Sequence, residues 1–338
     1  MPQGLFQPLV LFFSPTNSPA TFQAMMNKIF RMEVAQGWLS VYMDNIVIHT
    51  KPLNGETEQQ HEQQHKQLIH QVLKKLETHD LYLKPEKCKF LKWEIEYLGV
   101  IVRNRVLKMN PKKLESIKNW ATPNNLTEIQ KFLGFTGYYR YFIPNYLQIA
   151  RPLLHLTKKT TPWEWTKTQQ LAFDLLKALM CEAPVLIQPN FEKKFFLQVN
   201  ASAYGMGTVL SQEGEITTPS LRKCRKPALH PIAFYSATFT PTEWNYDIYN
   251  RELLAVMKVL YHWRPYLAWT NEPFTILTDH ANLTYWKAPR KLDQRIQLWN
   301  GTHPREYKWP HRHTIMNPRD GQRRKQQPRY RNDPSTSD

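Results

Sequence analysis

The chain has 338 residues, with 45 Lys and Arg against 28 Asp and Glu, a formal net charge of +17 at pH 7. At roughly 100–200 residues per domain this length allows two or three compact units, and 41% hydrophobic residues exclude a wholly disordered chain. So large a basic excess argues against an ordinary enzyme of neutral substrates and for a polyanionic partner, nucleic acid before membrane. Aromatic residues at 13% suit either base stacking or a large core. Cys88, Cys181 and Cys224 are odd in number and far apart, which fits neither a disulfide framework nor a zinc knuckle. The run Leu9 to Phe13 is short, follows Pro8 and lacks a basic leader, and no stretch approaches the ~20 apolar residues of a membrane span. An intracellular chain, in cytoplasm or nucleus and without a membrane partner, is expected.

In chain order, the turn-rich segment Ser14 to Pro19 precedes a helical run from Ala20 to Phe30. Apolar strands then flank Asp44: Leu39 to Met43 before it and Ile46 to Ile48 after it. Residues 56–79 read as a polar helix with one buried stripe, Leu68, Ile69, Val72, Leu73 and Leu76. His61 and His65 lie one turn apart on it, a spacing that more often marks a solvated face than a metal site. Residues 93–108 alternate around Gly99 as a hairpin. Capping boxes at Thr127/Gln130, Thr166/Gln169 and Thr240/Glu243 predict three helix starts, the last running past Leu253, Met257 and Leu260. Strands are expected at Phe195–Val199, Met206–Leu210, Ile232–Ser236 and Phe274–Leu277, which with the last helix predicts a mixed α/β domain. Arg222, Lys223, Arg225 and Lys226 form a basic loop suited to phosphate contacts. From about residue 301 apolar periodicity fades and a disordered basic tail is expected.

Two constellations could carry chemistry. In Tyr42-Met43-Asp44-Asn45 a tight turn joins two apolar strands, which read alone is most often a plain turn. In the later domain Asn200 ends one strand, Asp279 ends another and Glu252 sits on the intervening helix. Strand ends of α/β sheets are where ligands bind, although spacing alone does not join these three.

The wording around the first turn is more informative. Gly4-Leu5-Phe6, Asn17 to Asn27, Tyr42-Met43-Asp44-Asn45, Leu81 to Cys88, Glu96-Tyr97-Leu98-Gly99, Phe132 to Phe135, Tyr138 to Ile143 and Ala150 to Leu153 follow one another in the order of a known family. Together they resemble the reverse transcriptase of gypsy-class LTR retrotransposons, over about residues 4–300. The resemblance implies a palm in which three aspartates hold two Mg²⁺ ions. Asp44 matches the first of the adjacent pair, and Asn45 stands where the second is expected. An amide oxygen is a neutral and weaker ligand for a hard cation. The chain begins downstream of the position expected for the third aspartate, so an incomplete polymerase site is expected.

Asn200-Ala201-Ser202, Asn245 to Ala255 and Thr278 to Leu283 resemble the RNase H domain of the same elements. That domain uses four carboxylates around two Mg²⁺ ions to cut the RNA strand of an RNA–DNA hybrid. Glu252 and Asp279 match two of them. Position 200 carries Asn in place of Asp, and the motif around the fourth is not found.

The expected fold is α+β: a partial reverse transcriptase palm over 1–110, a helical thumb and connection over 111–181, an RNase H-like domain with a mixed sheet over 182–300, and the tail 301–338. The family function is RNA-directed DNA synthesis with RNase H, with RNA, DNA and their hybrid as partners and Mg²⁺ as cofactor. Three outcomes stay open for this chain: a truncated, catalytically impaired product, a residual magnesium-dependent RNase H, or a non-catalytic nucleic-acid-binding module.

Overall fold

The computed structural model describes residues 16–51, 55–103, 105–214 and 228–278, together with the backbone of 313–316. The chain divides into two units, Met1–Tyr97 and Leu98–Asp338.

In the first unit, helices α1 (Ser18–Ile29) and α2 (Arg31–Ala35) precede an antiparallel hairpin of β1 (Leu39–Tyr42) and β2 (Asn45–Ile48). The long helix α3 (Glu58–Thr78) follows, and β3 (Glu94–Tyr97) closes the unit. Thr57 opens α3 with a reciprocal capping box to Gln60, which satisfies backbone N–H groups that the helix leaves without partners. The amphipathic stripe read from the sequence turns inward. Val72 and Leu76 join Met26, Phe30 and Leu39 in one buried cluster.

The second unit begins with β4 (Val100–Arg103) and β5 (Val106–Met109), an antiparallel pair extended by β6 (Leu186–Ile187). Helices α4 (Pro111–Lys118), α5 (Leu126–Tyr138), α6 (Tyr146–Leu156) and α7 (Lys167–Cys181) lie between β5 and β6 in sequence. Their core is built on Ile117, Phe132, Leu153, Phe173 and Leu176. The hydroxyls of Tyr138 and Tyr139, at the end of α5, donate to the carbonyls of Leu98 and Gly99. Two segments quoted above for the resemblance therefore meet.

A five-stranded sheet follows: β7 (Phe195–Ala201), β8 (Gly205–Gly214), β9 (Ala228–Thr238), β10 (Phe274–Leu277) and β11 (His313–Met316), in the order β11-β10-β7-β8-β9. β7, β8 and β9 are antiparallel neighbours, whereas β10 runs parallel to both β7 and β11. Between β9 and β10 come α8 (Pro241–Trp244) and α9 (Ile248–Leu267). Trp263, Val259 and Ala255 of α9 are buried in one cluster with Phe195, Leu197 and Val199.

Three expectations need correction. The cap of α5 is Asn125, whose Oδ1 accepts the Glu128 N–H at 2.9 Å, rather than Thr127. Asn ranks at least as high as Thr at this position and catches an earlier N–H. The helix opened by the Thr240/Glu243 box stops at Trp244, and Asp247 caps a new one. The intervening Asn245-Tyr246-Asp247 favours turns and caps over helix interior. In the expected disordered tail, residues 313–316 form β11, because the exposed edge of β10 accepts another parallel strand.

Candidate functional sites

The Asp44 hairpin is a two-residue connection in which Tyr42 pairs with Asn45. Met43 sits at φ 54°, a region that L residues enter at a cost of roughly 1–2 kcal/mol. Gln23 of α1 holds this strained turn. Its Oε1 accepts the Met43 N–H at 2.6 Å, while its Nε2 donates to the Asn27 Oδ1 at 2.8 Å and to the Val41 carbonyl at 3.3 Å. The side chains of Asp44 and Asn45 are left exposed at the tip. Burial, with Tyr42 second, raises the Tyr97 phenol above its ordinary pKa. At the far end of the hairpin Thr50 Oγ1 lies 3.1 Å from His65 Nδ1. Burial first, then His61 and His49, hold His65 below the ordinary histidine pKa. The helix face of His61 and His65 is thus less solvated than its sequence suggests.

In the five-stranded sheet Asn200 lies directly opposite Gly207, and Gly207 opposite Ser236. The adjacent row is Val199, Thr208 and Tyr235. Tyr235 stacks on His262 of α9 at 3.6 Å, so the Val199 row faces α9. Alternation puts the Asn200 row on the other face. Glu252 is 8% exposed and lies on the buried side of α9, near its N-terminus. A short connection, residues 268–273, returns α9 to the start of β10, so the Glu252 end of the helix lies toward the carboxyl ends of β7 and β10. Asn200 and Glu252 therefore approach one end of the sheet from opposite faces, and a joint site requires the Glu252 side chain to reach past the strand ends. Asp279, the third residue of the expected set, lies outside the described residues, as do Arg222, Lys223, Arg225 and Lys226.

Hard divalent cations favour anionic oxygen ligands. The hairpin supplies one carboxylate, Asp44, and the described part of the sheet supplies Glu252, each with a neutral amide as companion. Among the described residues no three His, Cys, Asp or Glu side chains gather as a metal-holding group. Among the described residues, each place thus offers a single carboxylate to a cation.

Sequence reasoning passed over Gln23 as a hairpin support, and Gly207 and Ser236 as the row beside Asn200. The pair Gly205 and Gly207 inside a strand run is the available signal, because a strand glycine often marks close approach of another segment.

Comparisons with known proteins agree with this architecture. The reverse transcriptase (RNA-dependent DNA polymerase) family matches residues 2–102, and the RNase H-like domain found in reverse transcriptase matches residues 190–302. The Tf2-7 transposon polyprotein of Schizosaccharomyces pombe is 35% identical over 282 residues. The chain belongs to the reverse transcriptase–RNase H family of retrotransposon polyproteins. The Tf2-3 polyprotein of the same organism is 34% identical, and each alignment covers 83% of this chain and 20% of the polyprotein. The chain thus spans about a fifth of the length of these curated relatives. Among solved structures, a foamy viral protease-reverse transcriptase in complex with RNA/DNA hybrid superposes with a TM-score of 0.65 at 22% identity, over 96% of this chain and 40% of that one. A second foamy viral complex, with double-stranded DNA, gives 0.66 at 21% identity over 89% and 49%. These likenesses support the α+β fold with its mixed sheet.

Proposed function

We propose that this reverse transcriptase–RNase H segment binds duplex DNA and RNA–DNA hybrid, and that its metal-dependent chemistry is impaired at both sites. The observation that carries the reading is the exposed amide of Asn200 in the strand row where the family resemblance calls for a carboxylate. Asn45 repeats the substitution in the hairpin. Asp44 at one site, and Glu252 with Asp279 at the other, would hold Mg²⁺ with fewer negative charges than the family's set. When bound, the ion supplies Lewis-acid stabilisation of phosphate charge. The chain's own residues contribute charge: the net charge of +17 and the basic sequence run Arg222, Lys223, Arg225 and Lys226 favour phosphate contacts. The solved complexes of the foamy viral proteins with double-stranded DNA and with hybrid support these partners.

The test is one preparation assayed three ways. Hybrid affinity should fall with salt, log K against log salt having a slope of about −0.9 per phosphate contact on B-form duplex. Hybrid cleavage and primer extension in Mg²⁺ should stay at the level of an EDTA control. Cleavage that vanishes with Glu252→Gln would instead establish a residual RNase H and sink the impairment.

A further inference from the structure

The Asn200 row is not open along its whole length. Asn145, which precedes α6, adopts the left-handed conformation at φ 54° and ψ 30°, and its side chain does not cap its own helix. It lies against Gly207 instead, where a Cβ on residue 207 would overlap the Asn145 Oδ1 outright. Two residues on, the Leu147 N–H donates to Ser236 Oγ at 3.0 Å. An amide in the first turn of a helix has no acceptor within that helix, so Ser236 caps α6 from the sheet. One turn further, the Arg151 guanidinium stands 4.2 Å from the Tyr204 ring centroid and 5.8 Å from that of Trp244. Leu147 and Arg151 share a helix face by their spacing. One face of α6 thus engages β8, β9, the β7–β8 loop and α8, on the side of the sheet that carries Asn200.

We propose that the first turn of α6 is a plug on the Asn200 face, and that an RNA–DNA hybrid must displace it to lie on that face. The proposal rests on the reading above, that the chain binds RNA–DNA hybrid, and places that hybrid on the Asn200 face. Neighbouring strands are ~4.8 Å apart, whereas the grooves of a duplex are roughly 6–12 Å wide. A duplex seated on Asn200 therefore meets Asn145, one strand away over Gly207. A site competent only when the plug is out binds with its affinity reduced by the competent fraction, so removing the plug strengthens binding.

The experiment uses the full chain and a labelled hybrid, with amide exchange at Leu147 as a second readout. Without hybrid, the Leu147 amide should be protected, and Gly207→Ala, whose Cβ displaces the Asn145 side chain from its seat on the sheet, should lower that protection. The same substitution should tighten hybrid binding about tenfold, as expected for a site open about a tenth of the time. Asn145→Gly accepts the same φ and removes the overlapping atoms, so Asn145→Gly combined with Gly207→Ala should restore both protection and wild-type affinity. Should Gly207→Ala fail to fold, Ser236→Ala and Arg151→Ala each remove one contact from the sheet side or the helix side and should move both readouts the same way. Equal affinity in wild-type and unplugged chains overturns the competition. An unprotected Leu147 amide in the wild type overturns the plug itself. A hybrid bound by neither form overturns the proposed function and the competition together, while the exchange result still judges the docked turn.

Discussion

The hairpin around Asp44 and the sheet around Asn200 carry the same chemical change, an amide where the family resemblance calls for a carboxylate, in different hosts. Among the described residues, the hairpin rests on a cluster of five buried side chains, Met26, Phe30, Leu39, Val72 and Leu76. The sheet is backed by a cluster running from Phe195 through Trp263 to Ile276. The tip of the hairpin is set locally, by a two-residue turn and one glutamine. The row at Asn200 is set by three strands, with a helix on each face. An exposed residue at either place can lose its charge without disturbing packing, but only in the sheet does its exact placement depend on a large core.

The largest effect should come from that core. Trp263 is 2% exposed, and its ring meets those of Tyr235, His262 and Tyr266. Trp263→Ala should cost about 3–5 kcal/mol, as large-to-small changes in packed cores do. The urea midpoint of the second unit reports it. A loss under about 1 kcal/mol would show that the sheet is not held by α9, and the contrast with the hairpin would collapse.

Next comes charge restoration. Asn200→Asp adds an anionic oxygen near the end of the sheet toward which the Glu252 end of α9 lies, and should raise Mg²⁺ affinity there by about tenfold, since ligand charge sets divalent-cation affinity. Asn45→Asp adds one beside a single exposed carboxylate and should do less. Calorimetric titration with Mg²⁺ measures both. A larger gain at position 45 would reverse the ranking of the two sites, and no gain at 200 would mean that Glu252 does not reach past the strand ends.

Much of this was legible in the sequence, for identifiable reasons. The stripe on α3, the strands around Asp44 and the four strands at 195–199, 206–210, 232–236 and 274–277 follow from periods that each segment carries within itself. The boxes at Thr166 and Thr240 are equally local, and both form. What failed depended on competition or on distant partners. Asn125 outcompeted Thr127 for the α5 cap, and Asp247 restarted a helix that periodicity alone would continue. β11 exists through β10, its neighbour in the sheet, and four residues of weak pattern do not announce that. The candidate sites were legible as residue types but not as faces. Nothing in Asn200 or Glu252 alone tells that they approach from opposite sides of β7, because that follows from the Asn200–Gly207–Ser236 register and from the stacking of Tyr235 on His262.

That stacked pair gives a smaller, pH-dependent difference. Burial first, and Arg140 second, hold His262 below the ordinary histidine value of 6.5. A histidine with a lowered folded pKa binds fewer protons folded than unfolded. Its contribution to stability is therefore intact above about pH 6.5 and declines as the pH falls below it. Urea unfolding of the second unit between pH 7.5 and 5.5 should show this decline, and His262→Phe, which keeps a stacking ring without a titrating group, should flatten it. An unchanged slope in the variant would assign the pH dependence elsewhere.

The smallest effect concerns the ion pairs that flank the two hosts. Glu33 meets Lys75 at 2.6 Å in the first unit, and Glu243 meets Lys258 at 2.7 Å in the second. Glu243 has two tasks, since its carboxylate also accepts the Thr240 N–H at 2.8 Å and completes the α8 capping box. Burial pushes its pKa up, but the hydrogen bond from Lys258 and those from Thr240 outweigh burial and hold it below the usual 4.5. A lowered carboxylate pKa contributes stability above the unfolded value, and that contribution disappears as the pH falls through the folded one. Glu243→Gln keeps the box, because Gln serves there as well as Glu, and removes only the charge. It should cost at most about 1 kcal/mol at neutral pH, the usual scale of such pairs, and erase this part of the acid dependence. Glu243→Ala loses the box as well and should cost a further ~1 kcal/mol. Equal losses for Gln and Ala, measured by urea unfolding at pH 7, would mean that the charge alone matters and that the cap on α8 contributes nothing to the fold.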